Sequence, residues 1–144
     1  QGGPGGGQFA GQTPINALIV SGGCCHDYGG QNKILIDTLN AVMPINWTAV
    51  HGMTALPDGR LPLYDNPTWA NGYDIVIHNE CWANGNFPAN VVRNITQPGG
   101  RSVPRMFFHC SLHSYRVMTD DSWREIIGMI ERTPGSSAHR MAAP

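Results

Sequence analysis

The chain has 144 residues, a length that fits one domain better than two. Only 13% of the residues are charged and the formal net charge is −1, so no basic excess is available to neutralise phosphates and nucleic-acid binding is not expected. The longest uninterrupted apolar runs, such as residues 17–20, are far shorter than the roughly 20 residues that a membrane span needs.

The first 14 residues are rich in glycine and carry no charged side chain. Such a segment buries too little apolar surface to offset the entropy lost on ordering, so we predict a flexible leader over residues 1–14 and one α/β domain over residues 15–144. The sequence begins with Gln1 rather than Met, and removal of a signal peptide is the favoured explanation. This predicts a periplasmic or extracellular protein.

Apolar periodicity and turn residues predict alternating strands and helices. The apolar run over residues 17–20 predicts a buried strand, and the spacing of Leu35, Leu39 and Val42 predicts an amphipathic helix over residues 31–43. Residues 52–72 are rich in Pro, Gly, Asp and Asn and predict a loop with one helical turn, and no strand is predicted after Arg132. The other predicted elements are strands at 47–51, 73–79 and 106–109 and a helix at 88–96. A last helix is predicted to start near Asp120 or Asp121, or to be capped by Ser122. Its apolar stripe consists of Trp123, Ile126, Ile127 and Ile130.

This alternation of strands and helices is typical of an α/β domain with a mostly parallel sheet. The strand at 73–79 contains three consecutive apolar residues, which suits a strand that is covered on both faces. Right-handed crossovers then place helices on both sides of the sheet. In open sheets of this kind, ligands bind outside the carboxyl ends of the strands.

Histidines are concentrated at the ends of the predicted strands. Five of the six histidines fall there, and they are accompanied by Glu80 and Cys110. The histidines at strand ends are His26, His51, His78, His109 and His113.

Three kinds of chemistry fit these residues. The first is general acid–base catalysis by His26, His109 or His113 together with Glu80, because imidazole titrates near neutral pH. The second is a nucleophilic pair of Cys110 with a nearby histidine. The third is a metal ion held by His and Glu, which ranks last because no local motif such as HExxH is present, and otherwise no cofactor is expected.

The four cysteines stand at positions 24, 25, 81 and 110, without the CxxC spacing of zinc ribbons. Adjacent residues point in different directions on most backbones, so at most one of Cys24 and Cys25 is expected to face a given site. One disulfide is compatible with an exported protein, but the sequence does not assign its pairing.

The segments around the strand ends resemble the trehalose-utilisation (ThuA-like) family. The segments that carry the resemblance are CCHDY (24–28), LYD (63–65), WANGYDIVIHNEC (69–81), HCSLHSYR (109–116) and DDSW (120–123), with the late His139 after a Gly/Ser stretch. The resemblance implies a flavodoxin-like, three-layer fold similar to that of class I glutamine amidotransferases. It also implies a link to disaccharide and keto-sugar metabolism.

The same resemblance assigns roles to individual residues. Segment 110–113 lies where the related amidotransferases carry a C-x-G-H nucleophile elbow, but Leu112 replaces the glycine, so glutamine hydrolysis is not expected. The residues implied to be catalytic are His26, Glu80, His109 and His113. The residues implied to bind substrate are Asp27, Tyr28, Asn79, Cys110, Tyr115 and Arg116.

The sequence therefore predicts a sugar-related enzyme that acts on a disaccharide or keto-sugar by His/Glu acid–base chemistry. Two alternatives stay open, a non-catalytic carbohydrate-binding or assembly module and a metal-dependent hydrolase. Domains of the family generally run well past 144 residues, which implies a fold that is truncated at its C-terminal side. A small-molecule sugar is the expected ligand, and an unfinished sheet edge would favour a homo-oligomer or larger assembly.

Overall fold

The computed structural model describes residues 9–52, 61–100, 102–130 and 140–141. Three expectations fall wholly or partly outside these residues. They concern residues 1–8 of the leader, residues 53–60 of the loop, and His139.

Four parallel strands form one open sheet in the order β2-β1-β3-β4. The strands are β1 (Ile15–Gly23), β2 (Ile45–Gly52), β3 (Ile75–Cys81) and β4 (Arg105–Phe107). Strands β1 and β3 occupy the centre, and their continuous apolar runs are buried. The predicted α/β fold with a parallel sheet is confirmed, and the strand order is the one found in flavodoxin-like folds.

Side chains alternate between the two faces of the sheet, and each face meets different helices. Leu18 and Val20 of β1 and Val76 of β3 enter one apolar core with α2 (Ala89–Thr96) and α3 (Ser122–Ile127). Helix α1 (Tyr28–Asn40) lies over the other face, where Asn32 donates a hydrogen bond of 2.8 Å to the hydroxyl of Ser21.

Helix α1 begins earlier than the sequence predicts. Its N-cap is Asp27, whose carboxylate accepts a hydrogen bond of 2.9 Å from the backbone N–H of Gly30. An acidic side chain at this position satisfies one of the backbone donors that the first turn leaves without a partner. Two glycines in that turn concealed the helix start, because glycine has low helix propensity.

The C-terminal part of the described chain differs from its prediction at two points. Helix α3 ends at Gly128, which adopts a left-handed conformation with φ 68°, so Ile130 is not part of its apolar stripe. Ile130 belongs instead to β5 (Met129–Ile130), which pairs in antiparallel fashion with β6 (Arg140–Met141). The expectation of no strand after Arg132 is therefore wrong, although β6 has only two residues.

Two short 3₁₀ helices, Pro62–Asp65 and His109–His113, complete the fold. The second one begins directly after β4, so His109 follows the strand rather than ending it. Within the described residues, no helix has both the length and the apolar character that crossing a membrane requires.

Candidate functional site

A pocket of about 140 Å³ opens where β1 and β4 end. It adjoins a wider and mainly apolar groove of about 390 Å³ along α1, with which it shares Gln31, Asn79 and Phe108. The pocket is at the carboxyl edge of the sheet, where the fold class places ligands. The residues that line it are His26, Gln31, Asn79, Phe108, His109 and Cys110.

The closest pair of reactive groups in this pocket is His26 and Cys110. The imidazole Nε2 of His26 is 2.9 Å from the Sγ of Cys110, and the His26 ring stands edge-on to Tyr28 with ring centroids 6.0 Å apart. His26 is exposed and Cys110 is half-buried, so solutes can reach both. A thiol in contact with an imidazole can transfer its proton to that ring.

The other two histidines predicted to be catalytic lie in the 3₁₀ helix after β4. The rings of His109 and His113 are 5.3 Å apart, and His109 lines the pocket. His113 is half-buried and does not line the pocket.

Tyr28 and Cys81 lie beneath the pocket, next to Cys110. The phenol of Tyr28 is buried and donates a hydrogen bond of 2.6 Å to the carbonyl oxygen of Cys24. Burial is the main cause that raises the pKa of Tyr28 far above its ordinary value, and the two nearby thiols add to it. Burial, followed by the adjacent Cys110, raises the pKa of the Cys81 thiol to about 11.

All four cysteines gather at this edge of the sheet. Cys24 and Cys25 form a disulfide, and the Sγ of Cys24 is 3.8 Å from the Sγ of Cys81. The expectation that at most one of the adjacent cysteines faces a given site is wrong. Among the described residues, the group of three or more potential ligands that could hold a metal ion consists of Cys24, Cys25 and Cys81, and no such group combines His with Glu.

Glu80 does not reach the pocket. Its side chain has no exposed surface, and its Oε1 accepts hydrogen bonds of 2.9 Å from Tyr64 and from Nδ1 of His78. Residues 79 and 80 point to opposite faces of β3, so Asn79 faces the pocket while Glu80 enters the aromatic core. Tyr64, which lies in the loop predicted over residues 52–72, is the buried donor to this carboxylate.

Three residues predicted to bind substrate have other contacts. The Asp27 carboxylate caps α1, and Tyr115 is buried with its ring against Phe87 and Trp123. Arg116 lies close enough to Cys81 for its positive charge to oppose the rise in the pKa of that thiol.

The sequence analysis did not select Gln31 and Phe108, which line both the pocket and the groove.

A chain of polar contacts that leads to Asn79 was also not predicted from the sequence. His51 Nδ1 is 3.0 Å from the Ser21 hydroxyl, Asn32 donates to the same hydroxyl, and Asn79 donates a hydrogen bond of 3.1 Å to Asn32. This chain fixes the Asn79 side chain at the pocket floor. The sequence signal for it was the pair of adjacent amide residues, Gln31 and Asn32, near the start of α1.

Comparison of the chain with family models, with curated proteins and with solved structures found no match. The resemblance to the ThuA-like family therefore stays a prediction, and the site is interpreted from its own geometry.

Proposed function

We propose that this domain is a ThuA-like enzyme that acts on a keto-sugar or a disaccharide derived from one, at the pocket formed by His26, His109 and Cys110. The observation that carries the proposal is the 2.9 Å contact between His26 Nε2 and Cys110 Sγ in an accessible pocket. A positioned imidazole that touches a second proton carrier is typical of a group that moves protons during catalysis.

The chemistry we assign is proton transfer next to a carbonyl group. His26 removes the proton from the carbon beside the keto-group, and His109 gives a proton to the carbonyl oxygen. Among the residues that the structure describes, none that lines the pocket has a carboxylate, so two imidazoles are the groups available as base and acid. Nδ1 of His26 is the nitrogen that acts as the base, because Nε2 shares with Cys110 Sγ the hydrogen bond that holds the orientation of the ring.

The surrounding residues suit a sugar ring. The side-chain amides of Gln31 and Asn79 can donate to and accept from hydroxyl groups, and Phe108 offers an apolar surface for the C–H face of the ring. The groove along α1 provides space for a second ring or an aglycone. This arrangement supports binding of a polar ring with an extended substituent.

A second candidate is a non-catalytic carbohydrate-binding module. The observation that favours it is the position of Glu80, which is buried in the core rather than in the pocket. A binding module would keep the amides and the aromatic surface but would not turn over its ligand.

The test measures proton abstraction directly. A panel of keto-sugars is incubated with the protein in deuterium oxide, and deuterium at the carbon beside the keto-group is followed by NMR. We expect exchange with the wild type and a loss of about 100-fold or more in His26→Gln. Lys33→Gln is the control, because Lys33 is exposed on α1 and is not part of the pocket wall.

The outcomes separate the two candidates. Sugar binding by calorimetry without exchange or turnover would favour the binding module. Equal exchange in His26→Gln and wild type would remove His26 from the mechanism, and neither binding nor exchange would overturn both candidates.

A further inference from the structure

The structure brings together three sulfur atoms that belong to distant parts of the chain. The Sγ atoms of Cys24, Cys25 and Cys81 all lie within 4.8 Å of one another. In the structure, Cys24 and Cys25 are joined by a disulfide, while Cys81 is a buried free thiol. Reduction of that disulfide would leave three thiols at the same place.

The backbone holds these residues together independently of the disulfide. Gly23 and Cys81 are partners in the parallel register of β1 and β3, and the N–H of Cys24 donates a hydrogen bond of 3.2 Å to the carbonyl oxygen of Cys81. Gly23 has φ 97°, and a Cβ atom there would overlap that carbonyl oxygen. The close approach of β1 to β3 therefore requires glycine at position 23. This close approach places Cys24 next to Cys81.

The distance between the sulfur atoms of Cys24 and Cys81 matches that of a thiolate metal site. A tetrahedral zinc ion with Zn–S bonds of about 2.3 Å keeps neighbouring sulfur atoms about 3.8 Å apart. The distance from Cys24 Sγ to Cys81 Sγ is 3.8 Å. The positive charge of Arg116 acts to lower the pKa of Cys81, and it would offset part of the negative charge that three thiolates leave on a divalent ion.

We propose that Cys24, Cys25 and Cys81 form a zinc site that exists only when the Cys24–Cys25 disulfide is reduced. Two molecules of a low-molecular-weight thiol supply two electrons and two protons and become a disulfide, while Cys24 and Cys25 become free thiols. Binding of Zn²⁺ then forms three Zn–S bonds and releases the three thiol protons to water. In the reverse direction, a low-molecular-weight disulfide takes two electrons from Cys24 and Cys25 and two protons from water and becomes two thiols, while the Cys24–Cys25 disulfide forms again and Zn²⁺ is released because two of its three ligands are lost.

The three-sulfur group adjoins the catalytic pair of the proposed function but shares no residue with it. Cys110 is hydrogen-bonded to His26 and is not part of the three-sulfur group. Cys110→Ser is therefore a matched control for Cys81→Ser. It replaces a neighbouring cysteine with serine but removes no proposed zinc ligand.

The first experiment uses the wild-type chain alone. The protein is reduced with a phosphine, which does not compete as a thiol, and Zn²⁺ affinity is measured anaerobically by competition with a chromophoric chelator. We expect one zinc per reduced chain and binding weaker by about 100-fold or more in the oxidised chain. Equal affinity in the two states, or unfolding of the chain on reduction, would overturn the proposal.

The second experiment tests the ligands. Under reducing conditions Cys81→Ser should lose about 100-fold in affinity, whereas Cys110→Ser should stay within about threefold of wild type. Cobalt replaces zinc in parallel samples, because the thiolate-to-cobalt charge-transfer band reports the number of bound sulfurs. Wild-type zinc affinity in Cys81→Ser, or equal losses of affinity in Cys81→Ser and Cys110→Ser, would overturn the ligand assignment. If circular dichroism shows that Cys81→Ser does not fold, Cys24→Ser takes its place.

Discussion

The imidazole Nε2 of His26 lies 2.9 Å from the Sγ of Cys110, although 84 positions separate the two residues in the chain. His26 follows β1 and Cys110 follows β4, and the central strand β3 lies between those two strands. The contact therefore depends on the loops that leave the sheet, since β1 and β4 do not pair with each other.

The first prediction concerns the reactivity of Cys110. Because His26 can accept the thiol proton, His26→Ala should lower the rate of alkylation of Cys110 by iodoacetamide about tenfold at neutral pH. The rate is measured by mass spectrometry of the peptide that contains Cys110, and Cys81, which is buried, should react far more slowly in both proteins. Lys33→Ala, at an exposed position of α1 outside the pocket wall, serves as the control. An unchanged Cys110 rate in His26→Ala would show that the two groups do not share a proton.

The sequence predicted the fold better than the site, for a physical reason. Continuous apolar runs identify β1 and β3 because burial on both faces leaves a local composition signal. The meeting of Cys24 with Cys81 depends on the register between two strands, which no local pattern records. The position of Glu80, in contrast, could have been predicted from the sequence, since the alternation of side chains along a strand already implies that Glu80 and Asn79 face opposite sides of the sheet.

The second prediction concerns Gly23 and its close approach to Cys81. A Cβ at residue 23 would overlap the Cys81 carbonyl oxygen, so Gly23→Ala must push β1 away from β3. Gly72 is the matched control, because it also has a positive φ, 89°, but has no atom within 4 Å of an added Cβ. We expect Gly23→Ala to lower the free energy of unfolding by about 2 kcal/mol more than Gly72→Ala does, as measured by urea denaturation. Similar losses in both variants would mean that the backbone contact is easily relaxed.

The third prediction concerns Glu80 as a core residue. Removing its carboxyl leaves the Tyr64 hydroxyl and the Nδ1 of His78 buried without their partner. Glu80→Ala should therefore cost about 3 kcal/mol or more of unfolding free energy, whereas Glu80→Gln keeps an oxygen acceptor and should cost about half as much. A double-mutant cycle with Tyr64→Phe should give a coupling of about 1 kcal/mol, and additive losses would indicate that the hydrogen bond contributes nothing to stability.

The fourth prediction concerns stability at alkaline pH. Burial is the main cause that holds the pKa of Tyr64 and of Tyr115 well above the ordinary tyrosine value of about 10, and the nearby Glu80 adds to it. In the unfolded chain these phenols lose their protons as the pH passes about 10, while in the folded chain they keep them. The unfolded state then binds fewer protons, so the stability that is fully present below about pH 10 is lost as the pH rises further.

The measurement is the free energy of unfolding in urea at about pH 8 and about pH 11, together with the absorbance of tyrosinate. Tyrosinate from Tyr64 and Tyr115 should appear together with unfolding rather than before it. Tyr64→Phe removes one of the two groups and should reduce the loss of stability between the two pH values. Ile95→Val is the control, because it weakens the same core without removing a titrating group and should lower stability equally at both pH values. Tyr64→Phe with the same pH dependence as Ile95→Val would show that Tyr64 ionises without unfolding the chain.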